Sequence, residues 1–256
     1  MQPFEKDRVT AAGRFGQQIE YHSRIASTQD RARELAAAGA PEGTVVITDL
    51  QQAGRGRMGR VWITPPNTAL LMSIIFRPQL PPQQAPRLIM ACGMALLEAV
   101  EEVTIQVKWP NDLQIDGLKL AGILPEGVIT GQQLEHVIVG MGVNVNQVIG
   151  PGDDLYGTAT SLRMAAGRIF DREVLLSRIL RQLTYWNDHL TDDTLRRAWE
   201  SHCVTLGSYV RIRTPEGIIE GEAASIDEAG ALVVLDEKGT IHRATALDAT
   251  LLRAQP

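Results

Sequence analysis

Short runs of apolar and β-branched residues predict strands at 17–21, Val45–Thr48 and Ala69–Phe76. Between the first two, Ser27 caps an alanine-rich helical run that ends at Gly39, with Asp30 three residues on in an arrangement close to the Ser/Thr-x-x-Glu capping pattern. Residues 83–100 carry Leu88, Cys92, Ala95, Leu96 and Ala99 at helical spacing, which predicts an amphipathic helix. Strand-like segments follow at 105–115, 118–128 and 137–144, divided by turn signals at Asp116-Gly117 and Gly131. Helical patterns return at 171–190 and 194–201. From Gly207 to Leu252 the texture changes to short Val, Ile and Leu runs broken at Pro215-Glu216-Gly217, at 227–230 and at Glu237-Lys238-Gly239, the spacing of a small β-barrel. The expected fold class is α+β. A mixed, largely antiparallel sheet with helices on one face fills residues 1–205, and the barrel fills 206–256.

Composition narrows the function. At 256 residues and 44% hydrophobic the chain can bury a full core. A net charge of -5 and a pI near 5.6 argue against bulk nucleic-acid binding, for which a basic domain is expected. Cys92 and Cys203 sit in apolar contexts far apart in sequence and are expected to be free buried thiols, consistent with a cytoplasmic protein. No apolar run approaches the ~18 residues of a membrane span, and the polar first ten residues do not resemble a signal peptide.

Four segments carry candidate chemistry. Gly54-Arg55-Gly56-Arg57-Met58-Gly59-Arg60 sets three guanidinium groups in a glycine-rich loop. Arginine cannot deprotonate and forks two donors onto carboxylate or phosphate, so the loop reads as a device that closes over an anion, although a solvated turn has the same composition. Residues 54–59 satisfy Gly-x-Gly-x-x-Gly, but Val61-Trp62 and Pro65-Pro66 follow where a dinucleotide fingerprint needs a helix. Lys108-Trp109-Pro110-Asn111-Asp112 ends a strand at a proline and leaves polar side chains at the junction; Asn-Asp after proline is also an ordinary turn former. In the strand after Leu118, alternation puts Lys119 and Ala121 on one face, toward a cavity or solvent, and Leu118 and Leu120 on the other. Gly140 and Gly142, before Asn144, permit close approach of a ligand or a second segment, or mark a bulge.

Together these segments resemble the biotin protein ligases: Gly-Arg-Gly-Arg-x-Gly-Arg at 54–60, Lys-Trp-Pro-Asn-Asp at 108–112, Lys-x-x-Gly-Ile-Leu at 119–124 and Gly-x-Gly-x-Asn at 140–144. Ser27-Thr28, Gln51 and Ala159-Thr160-Ser161-Leu162 fall in the family's order, and the resemblance spans nearly the whole chain. It implies a class II synthetase-like catalytic domain, an SH3-like C-terminal domain, and a two-step reaction. Biotin and ATP give biotinyl-5′-adenylate, and a lysine of a biotin carboxyl carrier protein then takes the biotinyl group. The family assigns Ser27, Thr28, Gln29, Gln51, Gly122, Lys119 and the Arg55-Gly56-Arg57 backbone to biotin. It assigns Arg57, Arg60, Trp62, Lys108, Asn111, Lys119 and Asn144 to ATP or the adenylate. Lys119 and Arg57 are the expected catalytic cations, and Asp112 is expected to orient the incoming amine or to bind Mg²⁺.

Two departures stand out: Gln29 replaces the family's usual Asn, and Pro125 is expected to shorten the Lys119 strand. Bifunctional relatives carry an N-terminal winged helix, whereas only a short stretch precedes the first strand here, so DNA is not an expected partner; a homodimer is compatible with the family. A lipoate or octanoate ligase of related fold is the nearest alternative, and a non-catalytic biotin- or nucleic-acid-binding module the more distant one. Ordering residues 53–62 costs on the order of 10–20 kcal/mol of backbone entropy, against about 8 kcal/mol net from a micromolar ligand. The loop is therefore expected to be partly ordered beforehand, or to recover the cost through new contacts.

Overall fold

The computed structural model describes residues 1–131, 133–245 and 250–251. Seven strands, β1 (Ile19–His22), β2 (Val45–Thr48), β3 (Ala69–Phe76), β4 (Gln106–Lys108), β5 (Asp112–Ile115), β6 (Leu118–Thr130) and β7 (Gln133–Asn144), form one sheet in the order β1-β2-β3-β7-β6-β5-β4. β1 runs parallel to β2 and the other pairings are antiparallel, which is the expected mixed sheet. The helices are α1 (Thr28–Ala37), α2 (Pro86–Ala99), α3 (Leu162–Ala166), α4 (Arg172–Asp188) and α5 (Asp193–Ser201).

Alternation along β3 sends Leu70, Met72, Ile74 and Phe76 into the main core with α2 and α4. Its other face meets α1, where Ile75 packs with Ala32, Ala36, Val46 and Ile138. The thick helical layer therefore lies on one face, and α1 stands alone on the other. α1 is short and starts at Ser27, whose hydroxyl accepts from the Asp30 amide at 3.3 Å. The rest of its face is left for a site.

Three details differ from the sequence expectation. α2 is not amphipathic: Leu88, Ile89, Met90, Ala91, Cys92, Met94, Ala95 and Leu96 are all buried, because α4 and α5 cover the side turned from the sheet. Ala121 does not share a face with Lys119. The β5–β6 register slips between Leu113 and Gln114, pairing Leu113 with Ala121 and Gln114 with Lys119, so Leu120 is a bulge. Leu120 and Ala121 both enter the core, and Gly122 takes the face of Lys119. Pro125 does not shorten β6, which pairs with β7 on to Thr130. The Ile123 amide donates to Asn111 on the β5 side, so two residues on the Pro125 nitrogen faces a side that β5 no longer reaches, and no ladder bond is lost.

The second sheet comprises β8 (Tyr209–Thr214), β9 (Gly217–Ile226), β10 (Leu232–Leu235), β11 (Ile241–Ala244) and β12 (Thr250–Leu251), all antiparallel in the order β11-β10-β9-β8-β12. The three turn signals of the tail fall between successive strands; Leu252 lies outside the described residues. Its inner residues Val210, Ile212, Ala223, Leu232 and Val234 join the same hydrophobic cluster as the large sheet. Two polar ties reinforce the contact. Trp109 Nε1 donates to the Gly230 carbonyl at 3.3 Å, and the buried Arg87 donates to the carbonyls of Leu190, Asp192 and Glu228.

Candidate functional site

Register alone assembles much of the site. Lys108, Asp112, Gly122, Gly142 and Leu71 fall in one cross-strand row over β4, β5, β6, β7 and β3. Leu124, Gly140 and Ser73 form another such row. Both rows face the side of α1. The glycines give them a floor without side chains, and two large groups lie on it. A Cβ on Gly142 would stand 2.6 Å from the Trp62 ring, one on Gly122 3.1 Å from it, and one on Gly140 2.1 Å from Gln29 Oε1. The close approach that the glycines permit is thus used by Trp62 and Gln29.

Lys119 stands at one edge of this floor. Its Nζ donates to Asp112 Oδ1 at 2.6 Å and lies 5.5 Å from the Trp62 ring centroid. Its backbone is clamped by the segment before α3: the Lys119 amide donates to Thr158 and its carbonyl accepts from Thr160. Asn144 Nδ2 donates to the Thr160 carbonyl at 3.0 Å, which places Asn144 against the same clamp. Asn111 is held by its Nδ2 donating to the Ile123 carbonyl at 2.9 Å.

The arginine loop crosses this floor as an ordered hairpin. Arg55 bridges Val61, the Gly56 amide donates to Arg60 at 2.7 Å, and the Trp62 amide donates to Gly54 at 3.0 Å. Glycine is required at Gly54, where a Cβ would meet the Trp62 carbonyl at 2.5 Å. At the tip Met58 takes a left-handed φ of 57°. Arg57 Nη1 donates to Asn111 Oδ1 at 3.3 Å, joining loop and Lys-Trp-Pro-Asn-Asp turn. Arg55 turns the other way and forks onto Asp30, with both bonds at 2.8 Å. The Arg55 and Arg33 guanidinium groups hold the Asp30 carboxyl well down, at about 2.

At the start of α1, the Thr28 amide and hydroxyl both donate to Gln51 Oε1, at 3.0 and 3.1 Å, and the hydroxyl also meets Ser73 Oγ at 2.9 Å. Gln29 Nε2 donates to the Leu124 carbonyl at 3.1 Å. Ser27, Thr28 and Gln29 are buried. The structure therefore brings together Ser27, Thr28, Gln29, Gln51, Gly56, Arg57, Trp62, Asn111, Asp112, Lys119, Gly122 and Asn144 on or beside one face. Three expected side chains stand back, Arg55 among them because it turns to Asp30. Lys108 is across from Asp112 but exposed, and Arg60 is exposed with Nε donating to the Arg57 carbonyl. Ser73 and the Thr158 backbone have no signal in the sequence because they act through position; Thr160 lies in the Ala159-Thr160-Ser161-Leu162 segment of the resemblance, and the structure adds its backbone contact to Lys119. The Trp62 Nε1–H is buried and has no hydrogen-bond partner among the described residues, an open donor on the floor of the site.

Comparison with known proteins fits this frame. Residues 21–144 match the Biotin/lipoate A/B protein ligase family, and residues 205–246 match the Biotin protein ligase C terminal domain. The biotin–[acetyl-CoA-carboxylase] ligase of Mycobacterium tuberculosis is 33% identical over 261 residues, covering 97% of this chain and 94% of that one. This chain belongs to the biotin protein ligase family. The bifunctional ligase/repressor BirA of Bacillus subtilis is 39% identical over 88% of this chain and 71% of its own length. Among solved structures, the Aquifex aeolicus biotin protein ligase in complex with biotin and ATP superposes with a TM-score of 0.78 at 28% identity, covering 93% of this chain and all of that one. Every segment that carried the family resemblance borders the one face that α1 leaves open.

Proposed function

We propose that this protein is an ATP-dependent biotin protein ligase, which forms biotinyl-5′-AMP and transfers the biotinyl group to a lysine of a biotin carboxyl carrier protein. The observation that carries the reading is the placement of Lys119 beside the glycine floor, with the Arg57-bearing loop across it and a biotin ligase frame around it. In the first step a biotin carboxylate oxygen attacks the α-phosphorus of ATP, the bond to pyrophosphate breaks, and pyrophosphate leaves. Both reactants are anions, so fixed cations lower the barrier by neutralising them where they meet. Lys119, fixed through its backbone and through Asp112, supplies one; Arg57 supplies the second from the loop. In the second step a neutral lysine amine attacks the acyl carbon, AMP departs, and an amide forms with loss of a proton. In this reading Asp112 orients that amine or accepts its proton.

Ser27, Thr28, Gln29, Gln51, Gly122 and the 55–57 backbone form the biotin end of the site in this proposal, and Trp62, Asn111, Asn144, Lys108 and Arg60 the nucleotide end. Among the described residues no group of three or more His, Cys, Asp or Glu side chains is arranged to hold a metal ion. Mg²⁺ keeps several waters and takes one or two carboxylates plus substrate phosphates, so Asp112 fits it only together with ATP. There the ion would supply charge neutralisation on the phosphates. Residues 1–205 are proposed as the adenylating domain and 206–256 as the C-terminal domain. Among the described residues no helix is long and apolar enough to cross a membrane; a cytoplasmic location and a homodimer are part of the same proposal.

The test is pyrophosphate release from ATP by purified protein, with biotin or octanoate, beside Lys119→Ala. Release with biotin alone, falling by about 10²–10³-fold in the variant as for loss of a fixed transition-state donor, is expected. Release with octanoate instead would move the assignment to lipoate-type chemistry. Silence with both would leave a binding module.

A further inference from the structure

Arg55 sits among biotin-binding backbone positions, yet its side chain points away from the floor into a four-member ionic cluster. Asp30 accepts both forks of Arg55 and, at 2.8 Å, Nη1 of Arg33. Arg33 also pairs with Glu126 on β6, and Glu126 lies 3.7 Å from Arg55. Two carboxylates balance two guanidiniums, and three separate elements, the loop, α1 and β6, meet there. The fork geometry fixes orientation as well as distance, which a single contact to a surface lysine would not.

From this arrangement we propose that Asp30, braced by Arg33 and Glu126, is a positioning residue that pins the arginine loop over the site through Arg55. The loop then has lateral ties to two different elements, Arg55 to α1 and Arg57 to the turn at Asn111. Its hydrogen-bonded base, with Ala53 donating to Ala26 and Gln52 to Ile25, fixes only where it leaves the sheet. The Asp30 tie sets how far the Arg57 guanidinium can swing from the reacting anions. The two carboxylates are unequal in this role. Loss of the Asp30 charge removes the fork and leaves two guanidiniums competing for Glu126, whereas loss of the Glu126 charge removes the Arg33 pairing and the longer Arg55 contact but leaves the fork in place. The functional consequence rests on the ligase reading; the tie itself does not.

The experiment compares wild type, Asp30→Asn, Asp30→Glu and Glu126→Gln in two assays. Limited trypsin cleavage after Arg57 and Arg60, without ligands, reads loop release. Asp30→Asn is expected to be cut about five- to tenfold faster, the upper range for a networked bidentate pair. Glu126→Gln is expected to change less, and Asp30→Glu to restore much of the protection. Biotin-dependent turnover then reads function. The biotin KM of Asp30→Asn should rise more than kcat falls, with increased labelling of a bystander protein by released adenylate. Equal cleavage of wild type and Asp30→Asn overturns the proposal whatever the activity. Faster cleavage accompanied by a matching loss of thermal stability overturns it too, because Asp30 would then only stabilise α1. Faster cleavage of a chain that releases no pyrophosphate with biotin would leave the tie standing and remove the ligase reading.

Discussion

A methyl group on Gly142 would stand 2.6 to 3.0 Å from three atoms of the Trp62 indole, closer than van der Waals contact allows. The indole cannot sink, because Gly142 is its floor, so Gly142→Ala must lift or tilt it. Overpacking of this kind costs about 1–3 kcal/mol, and each 1.4 kcal/mol is tenfold in affinity. On the proposal that Trp62 belongs to the nucleotide end of the site, the ATP KM of Gly142→Ala should rise roughly tenfold or more, and that for biotin less. An unchanged ATP KM would remove Trp62 from the nucleotide pocket. Asp30 allows a second test at this scale. Its pairing with Arg55 and Arg33 lowers its pKa on folding to about 2. A carboxyl so lowered stabilises the fold above the ordinary value of about 3.9 and loses that contribution as pH falls toward 2. Carbon-13 titration of the Asp30 carboxyl should give a midpoint near 2, moving up in Arg55→Gln; a wild-type midpoint near 3.9 would mean that the fork does not persist in solution.

Strand identity was legible in the sequence, whereas strand surroundings were not. Ala69–Phe76 and Val45–Thr48 fall where their apolar runs predict, since both faces of these inner strands are covered. Alternation failed at Leu118–Thr130 because it presumes an unbroken register, and the extra residue at Leu120 is set by the partner strand β5. The amphipathic reading of α2 failed for a similar reason: a second helical layer buries its outer face, and only the tertiary structure holds that information. The capping bond from the Asp30 amide to Ser27 is present as its spacing predicts, whereas the pairing of the Asp30 carboxylate with Arg55, 25 positions on, leaves no local signal. The open side of β6 yields a prediction. Since the Pro125 nitrogen faces no partner strand, Pro125→Ala should change stability by less than about 0.5 kcal/mol. Ile123→Pro, two residues earlier, removes the amide that donates to Asn111 and should cost about 3 kcal/mol or more. Denaturant unfolding of the two variants checks the pair, and equal costs would show that β6 is paired on both sides at Pro125.

At the scale of the whole molecule the two sheets meet at the strand end that carries Asn111 and Asp112. Trp109 is 1% exposed, its amide donates to Thr205 Oγ1, and its indole donates to Gly230. Val107 also exchanges backbone hydrogen bonds with the 202–204 segment that leads into β8. The small sheet therefore braces the Lys-Trp-Pro-Asn-Asp turn from behind, and the turn in turn holds Asp112 against Lys119 and Asn111 against Arg57. Trp109→Phe keeps an aromatic ring but leaves a void and an unpaired Gly230 carbonyl, a loss of about 1–3 kcal/mol. A brace that matters only to the fold would lower the melting temperature and leave kinetics untouched below it. A brace that positions the turn would also raise the ATP KM at temperatures where the variant is fully folded, since Asn111 and Asp112 would lose their fixed places. The register row from Lys108 to Gly142 passes through this turn, so the second outcome is expected. Wild-type ATP KM in a destabilised but folded variant would confine the C-terminal sheet to a stabilising role.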